Sequence, residues 1–169
     1  MSLSLPTNFG NDIQGKDTAL FPYILIRNGD GYLRISTNTY SHIQGDSTVT
    51  TLPLLLNIPS LKESIDIEKR NYKISSVNLD ISNFPYDGKR FSELVGDTSL
   101  INTEVRIFWV SPSTDTQVAF DEGWSVDDYP SAFFQVYFGT IRRYTHDDEK
   151  VRLVIEDRSQ AKLHKPLPL

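Results

Sequence analysis

Short runs in which every second residue is apolar recur along this chain, and they limit what it can fold into. Residues 151–156 place Val151, Leu153 and Ile155 on one side and Arg152, Val154 and Glu156 on the other. Side chains alternate across a strand with a period of two, so such a run buries one face of a sheet and cannot form the apolar stripe of a helix. Residues 64–69 repeat the pattern with Ile65 and Ile67, residues 103–110 with Val105, Ile107 and Trp109, and residues 32–36 with Leu33 and Ile35. Residues 21–27 are rich in aromatic and β-branched types. Residues 133–144 are largely apolar at both parities, as expected of a central strand covered on both sides.

Turn residues separate these runs. Asn28-Gly29-Asp30-Gly31 is a hairpin signal, because Asn and Gly accept positive φ. Residues 146–150 (His-Asp-Asp-Glu-Lys) and 84–88 (Phe-Pro-Tyr-Asp-Gly) also read as turns. Residues 49–56 form a strand interrupted at Pro53, which cannot donate to a ladder and so belongs at an edge or bend. Residues 71–82 are the longest strand candidate. Their parity slips at Ser75-Ser76, the pattern a β-bulge leaves in a sequence. Residues 37–48 and 111–131 read as polar loops. One internal helix is expected, with Phe91, Leu94 and Val95 on one face, Asp87 as its cap and Gly96 as its stop. A single helical turn is expected at residues 159–164.

The sum is a mainly β chain: an antiparallel barrel or sandwich of seven to eight strands with one short helix. Residues 1–20 are expected to be a flexible, irregular N-terminal arm, residues 21–165 a single β domain, and residues 166–169 a Pro-rich tail.

Composition narrows the function classes. A chain of 169 residues with 38 % hydrophobic and 11 % aromatic content can build its own core and is not disordered over most of its length. Its net charge of −5 lacks the basic footprint that phosphate-backbone binding needs. With no Cys there is no disulfide framework, thiolate nucleophile or Cys-ligated metal. No apolar run approaches the ~20 residues of a bilayer span. Met-Ser-Leu-Ser-Leu-Pro-Thr-Asn has neither the basic start nor the apolar core of a signal peptide.

No residue set points to catalysis, and neither an enzyme nor a cofactor is expected. His42, His146 and His164 stand at no ligand spacing with one another. His146 with Asp147 and Asp148 has metal-ligating atoms, but a solvated hairpin turn is the favoured reading. No Gly-x-Ser-x-Gly elbow or Gly-x-x-x-x-Gly-Lys loop is present. Asn28–Gly31 lacks the later ligands of a calcium loop. Residues 121–129 gather Asp121, Glu122, Asp127 and Asp128 with Trp124 and Tyr129 in one loop. Paired carboxylates work in glycoside hydrolysis only when held at a fixed separation. The loop therefore reads as a contact surface with aromatic anchors. The basic residues Arg142, Arg143, Lys162, His164 and Lys165 are too few to steer a nucleic acid.

Three stretches read together carry a resemblance. The first is residues 52–66, Leu-Pro-Leu-Leu-Leu-Asn-Ile-Pro-Ser-Leu-Lys-Glu-Ser-Ile-Asp, running into Tyr72-Lys73-Ile74-Ser75-Ser76-Val77. The second is Gly88-Lys89-Arg90-Phe91-Ser92-Glu93-Leu94 with Asn102-Thr103-Glu104-Val105-Arg106-Ile107. The third is Phe138-Gly139-Thr140-Ile141-Arg142-Arg143-Tyr144 through Ile155-Glu156-Asp157-Arg158-Ser159-Gln160. Over about residues 50–165 the chain resembles the N-terminal β-barrel domain of tailed-bacteriophage virion proteins of the tail-hub or baseplate kind. The resemblance implies a structural component of the virion tail, made in the host cytoplasm. It also implies other tail proteins as partners and a homo-oligomeric ring, a trimer or hexamer. Trp124, Tyr129, Tyr40, His42 and Phe120 are the candidate interface residues, on the loops 37–48 and 111–131. The alternative is a free-standing ligand- or carbohydrate-binding β-sandwich using Trp124, Tyr129 and the loop carboxylates.

Overall fold

A computed structural model describes residues 5, 7–15, 19–44, 47–57, 60, 63–66, 71–74, 76–111 and 133–157. Two short helices, α1 (Thr7–Ile13) and α2 (Phe91–Val95), accompany ten strands among these residues. The strands are β1 (Phe21–Asn28), β2 (Gly31–Ser36), β3 (Ser41–Gln44), β4 (Ser47–Thr50), β5 (Glu63–Asp66), β6 (Asn71–Ile74), β7 (Val77–Ser82), β8 (Glu104–Val110), β9 (Phe133–His146) and β10 (Lys150–Asp157). Six of them form one antiparallel sheet in the order β2-β1-β8-β9-β10-β7, curled into a half-barrel. β3–β4 and β5–β6 are separate two-stranded ribbons.

The alternation seen in the sequence decides which residues line the inside of the curl. Val151, Leu153 and Ile155 of β10 are fully buried, as are Val77, Leu79 and Ile81 opposite them on β7. They join Ile24, Ile26, Ile35, Val105, Ile107, Tyr137 and Ile141 in one cluster, to which α2 adds Phe91 and Val95. Each fully buried aliphatic or aromatic side chain here contributes roughly 1.5–3 kcal/mol of transfer free energy. β9 is interior to the sheet, as its apolar character at both parities requires.

The two margins of the sheet are joined through residues 52–56. The Leu52 N–H donates to the Arg34 carbonyl (2.8 Å), and the Ser36 N–H donates to the Leu52 carbonyl (2.9 Å). Two residues on, the Ser82 N–H donates to the Leu54 carbonyl (2.7 Å) and the Leu56 N–H to the Asp80 carbonyl (2.9 Å). One short segment thus bonds to β2 and then to β7, with Pro53 at the bend between them. Leu54 and Leu55 drop into the core from it. The Asn57 amide continues the cover, accepting the Asp80 N–H at 2.9 Å.

Several details differ from the sequence expectations. The parity slip at Ser75-Ser76 is not a bulge: it marks the passage from β6, paired with β5, to β7, paired with β10. A strand that changes sheets changes the face it buries, and this leaves the same mark as a bulge. The register shifts that are present lie in β9, opposite Ile107/Phe108 and opposite Val154/Ile155. Residues 37–48 are not simply a loop, since Ser41–Gln44 and Ser47–Thr50 pair as a ribbon. The arm is not irregular throughout, because Thr7–Ile13 is helical and Phe9 is buried with its ring 5.2 Å from that of Phe134. Asp87 does not cap α2. Arg90 is the N-cap residue, the Glu93 carboxylate accepts its N–H at 2.8 Å, and Gly96 ends the helix at φ 63°. The single turn at 159–164 and the loop 112–131 lie outside the described residues.

Candidate interaction surfaces

Three places on this frame gather side chains beyond what the inner core needs. The first is the outer face of β1, β8 and β9. Tyr23, Leu25, Phe108, Val110 and Phe133 are buried there, with Phe21, Tyr32 and Tyr40 packed at their margin. The rings of Tyr23 and Phe108 lie 5.0 and 5.8 Å from that of Phe133 in edge-on geometry, the arrangement aromatic quadrupoles favour. Arg106 is buried on the same strand. Its guanidinium sits 4.4 Å from the centre of the Phe138 ring and donates to the Gln135 amide oxygen at 3.2 Å. Alternation in β8 brings Val105 and Ile107 inward and Phe108 and Val110 outward, so both faces of this strand are apolar.

The second is the root of the β3–β4 ribbon. Buried Thr51 holds it: its hydroxyl accepts the Tyr40 N–H at 2.8 Å and donates to the Asn38 carbonyl at 2.9 Å. Tyr40 is half-buried, its ring 4.6 Å from that of Phe21, so it ties the ribbon to the aromatic face. His42 lies on β3, opposite Val49. The structure thus brings Tyr40 and His42 to one ribbon. Phe120, Trp124 and Tyr129 lie outside the described residues.

The third is the corner where α2 meets the β9–β10 turn. Asp147 shapes that turn by accepting the N–H groups of Glu149 (2.8 Å) and Lys150 (2.7 Å), and these bonds hold its carboxyl below the usual range. Buried Asn83 links three pieces. Its amide donates to the Asp147 carbonyl at 2.7 Å and accepts the Ser92 N–H at 3.0 Å, while its backbone N–H donates to the Glu149 carbonyl at 2.9 Å. Arg90 donates to the Asp148 carbonyl at 2.8 Å. Between Asn83 and α2 the chain makes a tight turn with positive φ at Asp87 (51°) and Gly88 (79°), the mirror-image hairpin turn that Asp-Gly favours. It leaves Phe84 58 % and Tyr86 39 % exposed on a braced support. Beside α2 opens a groove of about 400 Å³, with Val95, Gly96, Leu100 and Ile101 against Tyr144 and His146.

On the outer edge of β7 and β10, Asp80 lies between Arg152 (2.9 Å) and Lys150 (3.7 Å). The Arg152 hydrogen bond, with the two positive charges, keeps the Asp80 carboxyl below its ordinary value against the opposing effect of burial. Desolvation raises the Tyr137 phenol well above its usual range, and it donates to the Ile155 carbonyl at 3.3 Å. Among the described residues no three His, Asp or Glu side chains are placed to hold a metal, and His146 is exposed at the turn. No helix among them is long and apolar enough to cross a membrane.

Sequence reasoning read residues 84–88 as a turn, for which Asp87-Gly88 is the signal, but missed the aromatic knob that Phe84 and Tyr86 form on it and the Asn83 brace. Asn83 had no such signal, because its partners are 9 and 64 residues away. Gly45-Asp46 between two runs was likewise a readable hairpin signal for β3–β4. No family model matches the chain, and no curated protein is a significant match to it.

Proposed function

We propose that this chain is a structural β-barrel module of a bacteriophage tail, of the hub or baseplate kind, which works by packing against copies of itself in a ring. The observation that carries the reading is a contrast within the fold. The margins of the main sheet are taken up internally by residues 52–57, while β3–β4 and β5–β6 stay two-stranded among the described residues. A two-stranded ribbon is marginal alone and presents unpaired backbone groups along its outer edges. Neighbouring subunits supply what such ribbons lack, and a closed body keeps the contact geometry rigid. The exposed Phe84 and Tyr86 on their braced turn are further anchors of the type found at protein interfaces. The stretches resembling tail-hub domains support the phage assignment, with the virion tail as location and other tail proteins as neighbours.

Light scattering coupled to size exclusion, over a wide concentration range, tests this reading. A discrete trimer or hexamer is the expected result. A strict monomer at every concentration overturns the ring.

A further inference from the structure

We propose that two copies of this chain pair about a two-fold axis, with the Phe84–Tyr86 knob of each seated in the groove beside α2 of the other. The inference rests on the subunit-packing reading and adds to it a contact distinct from the ring.

Knob and groove match in chemistry. The groove has an apolar floor in buried Val95 and Leu100 and an apolar lip in Ile101, 40 % exposed, and Tyr144 lines it too. Its volume of about 400 Å³ is of the size that takes a small aromatic ligand. The knob offers Phe84, 58 % exposed, and Tyr86, 39 % exposed. Interface anchors of the aromatic type act by filling a well-packed pocket on the partner. Lys89, exposed on the same turn, carries the charge opposite to that of Glu93, the one carboxylate lining the groove.

The knob is held out of the groove of its own chain. Phe84 and Pro85 lie between two anchored residues. Before them, the Asn83 N–H donates to the Glu149 carbonyl at 2.9 Å, and its side chain bonds to the Asp147 carbonyl and the Ser92 N–H. After them, Tyr86 and Lys89 exchange backbone hydrogen bonds at 2.9 and 3.1 Å. With both ends fixed, this short arch cannot swing over, and the exposure of Phe84 places its ring outside the groove.

The placement of the two features selects the symmetry. Asn83, at the root of the knob, bonds to Ser92, which lines the groove, and to Asp147, which follows the lining His146. Knob and groove are therefore neighbours on one face of the molecule. A head-to-tail ring needs its two complementary patches on different sides of the subunit. A two-fold rotation needs them on one side, and it makes the contact twice. Buried area argues the same way. Covering the exposed parts of Phe84 and Tyr86 with an equal area of groove removes roughly 400 Å² from water, too little for a specific contact. The reciprocal pair doubles this to roughly 800 Å², the range of weak, reversible association.

Light scattering coupled to size exclusion, over a wide concentration range, compares the full-length parent with Phe84→Ser and Ile101→Ser. Both side chains are exposed in the single copy, so neither substitution opens the core, and the far-ultraviolet circular dichroism of the parent is expected to be retained. The parent is expected to contain an even number of copies, and each variant half that number. A hexamer that falls to a trimer supports the two-fold contact and the ring together. A dimer that falls to a monomer supports the two-fold contact and removes the ring. A parent trimer overturns the two-fold contact and leaves the ring standing, and a parent monomer at every concentration overturns both. A variant that keeps the parent's mass overturns the proposal, since the groove then has another occupant or none. So does a hexamer that falls directly to monomers, the mark of a head-to-tail contact.

Discussion

At Gly139 in β9, a Cβ would meet the Glu156 backbone carbonyl first, then Ile155 Cγ2 at 2.7 Å and the Tyr137 ring at 2.9 Å. The nearest obstacle is main chain of the paired strand, so it cannot move aside as a side-chain tip can. Gly139 pairs with Asp157 on β10 and Val105 on β8, so a displacement there reaches two ladders. Gly139→Ala is expected to destabilise the protein by about 2–3 kcal/mol, the range for overpacking a tight interior. Chemical denaturation compared with a Thr140→Ala control checks this. Near-parent stability for Gly139→Ala would show that the two strands separate at little cost. Sequence shows the glycine within a strand run but not which backbone lies against it, because Glu156 approaches only once β9 and β10 pair.

At the scale of elements, α2 shows how a five-residue helix is held in place. Its propensity is too small to sustain it alone. Phe91 and Val95 anchor it in the core, Glu93 caps one N–H, and Asn83 accepts another from outside the helix. The same Asn83 amide donates to the β9–β10 turn, so helix, knob and hairpin share one buried side chain. Asn83→Ala leaves the Ser92 N–H and the Asp147 carbonyl without this partner, at an expected cost of about 2–3 kcal/mol. Hydrogen exchange should rise at Ser92 and in the 147–149 turn while the centre of β8 stays protected. A uniform change across the sheet would mean that Asn83 only adds to global stability. The apolar spacing of α2 was legible in the sequence. So was its stop at Gly96, but its N-cap was not, since Asp87 is a good cap residue that the backbone instead uses at positive φ.

For the whole molecule, the strand order sets which charges meet. Asp80 on β7 reaches Arg152 and Lys150 because β7 pairs with β10, some seventy residues on. Its carboxyl is held below the ordinary value of 3.8, so the folded state binds fewer protons than the unfolded state as that range is entered. The resulting stability is present above the unfolded value and is lost as pH falls through the lowered folded one. Asp80→Asn is therefore expected to reduce stability by no more than about 1 kcal/mol at neutral pH, a surface-pair magnitude. The difference in Tm between parent and variant should shrink on acidification below about pH 4, and in high salt. Thermal melts from pH 7 to pH 2.5 measure it. A pH-independent difference would assign the effect to packing rather than charge.

Much of this protein followed from its sequence alone. Period-two alternation marked β2, β8 and β10, aromatic and β-branched content marked β1, and apolar character at both parities marked β9, because each is a local property of an extended chain. Asn28–Gly31 became a two-residue hairpin turn with positive φ at Gly29 for the equally local reason that glycine tolerates that conformation. Tertiary structure decided the rest. Only pairing could show that residues 71–82 divide between two sheets, that residues 52–56 join β2 to β7, and that Asn83 braces a corner. Each of these depends on backbone or amide groups meeting partners far along the chain, and such groups leave no periodic trace in a sequence.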